Sequence, residues 1–135
     1  MNIVLWILQI LLAVVFGAHG GFLVAPPAAM VEMVNGNMGQ NFRIFLGVAE
    51  LLAAAGLILP GLTRILPWLI SLTAGCLMIV MASATAFHAM RGETSSAITT
   101  AILFVLVTFV AYMRWKVKPI LPGTTASSRL SDSKV

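Results

Sequence analysis

The chain is predicted to be an all-α integral membrane four-helix bundle with the N and C termini both cytoplasmic. Of its 135 residues, 60% are hydrophobic and only 9% are charged, far from the balance of a soluble domain. Four apolar runs of near membrane-crossing length follow one another. Short polar or Pro/Gly-containing stretches separate them.

The first run, Ile3 to Val24, is read as a retained helix (span 3–24): no Lys or Arg precedes it, and it outruns the h-region of a signal peptide. The link "APPAAMVEMVNGNMGQN" predicts a short helical turn opened by Pro26-Pro27 and closed by Asn35-Gly36. Its Met30, Met33 and Val34 suit either an interfacial cap or a plain surface loop. The second run predicts a span at 42–60, ended by the breakers of "PGLTR". The third predicts a span at 65–90 and ends in the polar turn "RGETSS". The fourth is shorter, Ala97 to Tyr112, and is assigned 96–114. Residues 1–115 form the transmembrane domain, while 116–135 read as a basic, disordered cytoplasmic tail.

Net charge is +4, but five of the eight basic residues (Arg114, Lys116, Lys118, Arg129, Lys134) lie at or beyond the end of the last run. Such clustering marks a cytoplasmic flank, not a nucleic-acid surface. Arg64 falls on the same side, Glu32 and Glu93 on the other. The expected location is a bacterial cytoplasmic membrane. A lone Cys76 excludes a dithiol redox pair and reads as a small buried residue.

With Trp6, Trp68 and the Tyr112/Trp115 pair as interface markers, His19, 13 residues along from Trp6, lies ~20 Å up the first helix. Glu50, seven residues from Arg43, shares that level, and His88 falls near the outer boundary beside Arg43. Arg91 lies just beyond. The inner half looks bare of strongly polar side chains apart from Gln9.

On the second helix Arg43, Gly47 and Glu50 share a stripe, whereas Ala49, Ala53, Gly56 and Pro60 form a small-residue stripe suited to packing. Gly17 and Gly21 allow close approach near His19, as Ser71 and Gly75 do on the third helix. One face of the second helix is thus expected to pack and another to present Glu50.

An ionisable residue at the centre of a membrane helix costs ~2.5–3.5 kcal/mol on insertion scales, so Glu50 needs a compensating role. It either binds a ligand or moves a proton, or else it fastens two helices as a hydrogen-bonding group. His19 is placed to pair with it or to be satisfied by a backbone carbonyl. Arg43 would form the electropositive lip of a cleft, with His88 at its rim. Neither an i, i+4 His pair nor a Glu-x-x-His run is present, so no metal is expected.

The stretch "RIFLGVAELLAAAGLILPG", with Arg43, Gly47, Glu50, Gly56 and Pro60-Gly61 in order, resembles the second helix of DoxX-like membrane proteins. "ATAFHAMRGE" resembles that family's Phe-His ending, through Phe87 and His88. The resemblance covers roughly residues 10 to 113. Relatives often carry a Lys near the end of the first helix where this chain reads "GAHGGFLV"; either His19 supplies the polar group or that part of the site is absent. The resemblance implies a four-helix membrane bundle within a family linked to thiosulfate:quinone oxidoreductase, quinone stress, membrane oxidoreductase complexes and receptor assembly.

Three readings follow. The first is a small accessory subunit of a redox-linked membrane system, binding a quinone-like or amphiphilic molecule at Glu50, His19, Arg43 and His88. It carries no intrinsic cofactor, with quinone or lipid as the molecule bound, and is not a complete enzyme alone. The second is a non-enzymatic assembly protein that recognises another membrane protein; the third, proton-coupled transport. Expected partners are the lipid bilayer, a membrane oxidoreductase or other membrane complex, and further copies of the chain, but no nucleic acid.

Overall fold

The structure, a computed structural model, describes residues 2–117 and 119–121. Helix α1 (Asn2–Val24) is followed by a 3-10 turn (Ala28–Met30), α2 (Val31–Met38), α3 (Gln40–Thr63), α4 (Leu69–Met90) and α5 (Thr94–Tyr112). A π-helical turn at Met113–Val117 continues α5. Four segments of 22 to 24 residues are long and apolar enough to cross a membrane; at ~1.5 Å per residue they match a hydrocarbon core of ~30 Å. Among the described residues there is no strand. Residues 122–135, most of the expected tail, lie outside the described residues.

Element ends follow local chemistry. Pro26 and Pro27 stop α1 from continuing, and Gly39, with φ of +75°, takes a backbone that side-chain-bearing residues avoid, separating α2 from α3. The sequence predicted that α2 would close at Asn35-Gly36; both lie inside it, and closure comes at Gly39. A break was likewise predicted at Pro60, yet α3 runs through Pro60 to Thr63. Pro60 removes one N–H, and its buried position against the rest of the bundle holds the helix together across that gap. The chain turns instead at Arg64 and Leu66, both with left-handed backbone (φ 56° and 50°), which delays the start of α4 to Leu69.

Packing proceeds around a ring in the order α1, α3, α4, α5. The α1/α3 and α4/α5 pairs touch most, α3/α4 less, and α1/α5 only sparsely. The core unites all four helices through Leu12 and Phe16 of α1, Leu57 of α3, Leu77 and Met81 of α4, and Val107 and Val110 of α5. Around it, large side chains such as Ile7, Leu52, Ile79 and Val105 are exposed, as lipid-facing positions should be.

Glycines set how closely the helices approach. A Cβ on Gly20 would lie 2.8 Å from the Gly47 carbonyl oxygen, and one on Gly47 would lie 2.8 Å from the Gly20 carbonyl oxygen. This is the tightest α1/α3 crossing. The sequence predicted Gly17 and Gly21 for this role; Gly17 meets Ala54 at 3.7 Å, and Gly21 faces open space. Gly56 sits against Thr73 of α4 and Gly61 against the Trp6 ring, whereas Gly75 meets nothing. Cys76, expected to be buried, is exposed on the outside of α4.

The end of the bundle carrying the start of α1 and the end of α5 is the better packed. Among the described residues, none of α4 after Met81 and none of α5 before Val107 is buried. On α1 and α3, by contrast, burial continues out to Leu23 and Arg43. The tightly packed core therefore lies towards the end that carries Asn2 and Val117. At the other end Arg91 bridges the α4/α5 link to Asn37 of α2 at 3.2 Å.

Candidate functional site

The stripe of Arg43, Gly47 and Glu50 on α3 is not held apart from packing, as the sequence suggested, but is the face that meets α1. The Gly20/Gly47 crossing brings the two backbones together one turn from Glu50, and this proximity sets the site. Glu50 is 2% exposed and its Oε2 lies 2.6 Å from Nδ1 of His19, whose side chain is 55% exposed. Either Nδ1–H donates to the carboxylate or a protonated carboxyl donates to Nδ1. The pair offsets the cost of taking the acid out of water.

His19 lies on the core-facing stripe of its helix. Leu5, Leu12 and His19 follow at seven-residue intervals, which an α-helix returns to the same face with ~20° of drift. Leu5 and Leu12 are fully buried. His19 stands at the edge of that stripe: Gly20 and Leu23 beyond it are buried, while the His19 side chain is half exposed. Among the described residues the ring bonds only to Glu50, through Nδ1, and its Nε2 is left for another partner.

Arg43 is buried and serves as a cap. Its Nη1 donates to the Leu23 carbonyl, and to that of Val24 at 3.3 Å, while Nε donates to Oδ1 of Asn35 at 2.9 Å. These carbonyls are among the last of α1, which lack partners within the helix and carry the negative end of its dipole. One guanidinium therefore fixes the end of α1, the start of α3 and the short helix α2 above the His19/Glu50 pair.

His88 forms a second pair, with Nδ1 2.6 Å from Oε2 of Glu93. Arg91 joins it, with Nε donating to Glu93 Oε1 at 2.7 Å and Nη2 donating to Oδ1 of Asn37 at 3.2 Å. The Arg91 guanidinium also stands 5.3 Å from the centre of the Phe87 ring. Arg91 and then His88 hold the Glu93 carboxyl below its usual range. The four sequence-predicted residues thus fall into two groups: His19, Glu50 and Arg43 together, and His88 with Glu93. His88 continues the spacing of buried Ala74 and Met81 on α4 but is itself part-buried among Glu93 and Phe87.

Sequence reasoning missed a buried polar cluster at the other end. Gln9 donates through Nε2 to the Leu57 carbonyl at 2.6 Å and accepts from Nε of Arg114 at 2.6 Å. The Arg114 guanidinium lies 5.5 Å from the centre of the Trp6 ring. Arg114 was read as a flanking charge, yet its side chain turns inward from the π-helical turn. The available signal was Gln9 itself, a polar residue between Leu5 and Leu12 on the core stripe. Among the described residues, no three His, Cys, Asp or Glu side chains converge as metal ligands.

The DoxX-like family model matches residues 7–110, a range that takes in both pairs. No curated protein and no solved structure matches the chain.

Proposed function

The chain belongs to the DoxX-like family of membrane proteins, and we propose that it is a small accessory subunit of a redox-linked membrane system. It binds a quinone-like or other amphiphilic molecule beside the His19/Glu50 pair. The observation that carries this reading is His19, an imidazole on a core-facing stripe that is half exposed while the Glu50 beneath it is sealed from solvent. A histidine serving only to fasten helices would be expected to be enclosed. Here Glu50 holds the ring through Nδ1, and when the pair carries a further proton Nε2–H donates to an oxygen of a ligand entering from the lipid. Clefts with apolar walls and a few convergent polar groups suit such ligands.

Arg43 supports the site by holding the ends of α1 and α3 in register. The basic residues around Arg114 and Lys116 favour termini on the cytoplasmic side of a bacterial cytoplasmic membrane, which puts the His19/Glu50 pair in the outer half of the bundle. Electrons for any redox chemistry come from a partner complex or from the ligand.

The test uses full-length protein in lipid nanodiscs, with duroquinone as the probe; its fully substituted ring resists addition of the Cys76 thiol. Retention above that of empty nanodiscs is measured for the natural chain, His19→Ala and Glu50→Gln. Loss of retention by both variants, each still melting cooperatively above the assay temperature, supports the proposal. Undiminished retention in both overturns it.

A further inference from the structure

The two ends of the bundle treat their charges differently. Towards the end carrying Arg43 and Arg91, ionic side chains are satisfied within the protein. The three ion pairs among the described residues join His19 to Glu50, and His88 and Arg91 to Glu93, while Arg43 caps α1. At the opposite end stand Arg64, Arg114 and Lys116, and among the described residues neither the link between α3 and α4 nor the π-helical turn contains an Asp or Glu. Arg64 and Lys116 are exposed, and neither enters an ion pair among the described residues.

These two cations flank one contact. Gly61, near the end of α3, packs against both the Trp6 ring and Ile120; a Cβ on it would lie 2.7 Å from the ring and 3.1 Å from Ile120 Cδ1. Arg64 is three residues from Gly61, about one helical turn, and Lys116 is four residues from Ile120, a reach of at most ~14 Å. The Arg114 guanidinium faces the same Trp6 ring at 5.5 Å. Arg64 is also fixed in place. Its left-handed backbone (φ 56°) is uncommon for a residue with a side chain, and the adjoining Thr63 hydroxyl donates to the Leu59 carbonyl at 2.8 Å and accepts the Ile65 N–H at 3.3 Å. The turn leaves Leu62, Ile65, Leu66 and Trp68 each more than half exposed, and Trp115, beside Lys116, is 70% exposed. Cations bracketed by apolar and indole side chains at the end of a membrane span lie at headgroup depth.

We infer that this end of the bundle is a docking surface for an anionic phospholipid, whose headgroup phosphate is held by Arg64 and Lys116 and whose acyl chains run beside Leu62 and Trp68. The surface is independent of the ligand proposed at His19. A soluble anion would gain nothing from the exposed apolar residues around the cations. A zwitterionic headgroup brings its own ammonium to a patch where no described residue supplies a carboxylate, whereas phosphatidylglycerol brings negative charge alone. Each Lys or Arg at such a surface strengthens the attraction about fivefold.

Full-length protein in a neutral detergent is titrated with dioleoylphosphatidylglycerol, dioleoylphosphatidylcholine or inorganic phosphate, and bound molecules are counted by native mass spectrometry. The natural chain is expected to bind phosphatidylglycerol more tightly than phosphatidylcholine. Arg64→Gln and Lys116→Gln should each weaken phosphatidylglycerol binding about fivefold, and the double variant about 25-fold; the single variants carry the test if the double variant does not fold. Arg64→Lys, which keeps the charge, should retain most of the binding, and Arg91→Gln, at the opposite end, all of it. Equal affinity for the two lipids overturns the inference. So does phosphatidylglycerol binding that is unchanged in both single variants, a loss of the same size in Arg91→Gln, or inorganic phosphate that binds as tightly as the lipid.

Discussion

His19 and Glu50 form a hydrogen-bonded pair, Nδ1 to Oε2 at 2.6 Å, in which the acid is enclosed and the imidazole is half exposed. A pair arranged in this way has consequences for stability as well as for binding. Removing one partner of a buried polar pair is costly, but replacing both with apolar side chains is often neutral or stabilising by about 1–4 kcal/mol. The double substitution His19→Leu/Glu50→Met is therefore expected to melt no lower than the natural chain in detergent while losing duroquinone binding. A lower melting temperature would assign the pair to structure.

Arg43 supplies several hydrogen bonds to the end of α1 and to Asn35. Arg43→Ala should cost about 2–3 kcal/mol, read from chemical denaturation. Arg43→Lys should restore only part of it, since an ammonium cannot reproduce the fork of a guanidinium.

The α1/α3 crossing makes a sharp distinction among glycines. Gly20→Ala and Gly47→Ala each push a methyl group against a backbone oxygen at 2.8 Å and should destabilise by about 1–3 kcal/mol. Gly21→Ala and Gly75→Ala, with nothing within 4 Å, should leave the melting temperature nearly unchanged. Equal losses at all four would contradict the packing described.

At the termini, Gln9 joins α1 to α3 and α5 through two hydrogen bonds. Gln9→Ala removes an acceptor from Arg114 and should cost about 1–3 kcal/mol. Arg114→Met should cost less, because its apolar stem fills the same path and the charge is removed with its need for a partner. Thermal melts of the two variants test the order.

The pH dependence at the far end has a defined sign. Because Arg91 and His88 lower the Glu93 pKa in the folded chain, Glu93 contributes stability above its unfolded pKa. That contribution is lost as pH falls through the depressed folded value. Glu93→Gln should flatten this acidic limb in a pH series of melting temperatures. A limb of unchanged steepness would show that the ion pairs add nothing measurable.

The four spans were legible because each is a run of apolar residues long enough for the bilayer, and counting helical rise from Trp6 and from Arg43 placed Glu50 level with His19. What escaped was the direction of side chains and the approach of backbones. Gly20 and Gly21 are indistinguishable by composition, and only the crossing geometry selects Gly20. Pro60 reads as a breaker locally, but tertiary packing keeps α3 continuous through it. Arg114 looked like a solvated flank because a sequence does not reveal that its long side chain reaches Gln9. Nor did the apolar spans disclose that burial stops at Met81 on α4, since helices facing lipid and helices facing a core share one composition.

The central claim is that the imidazole of His19 faces a ligand. The chain contains two histidines, so a 15N spectrum of histidine-labelled protein in nanodiscs resolves both, with His88→Asn assigning them. Addition of duroquinone is predicted to shift the His19 Nε2 resonance in the natural chain and to leave it in place in Glu50→Gln. A His19 resonance that does not move at any duroquinone content of the bilayer would contradict the account.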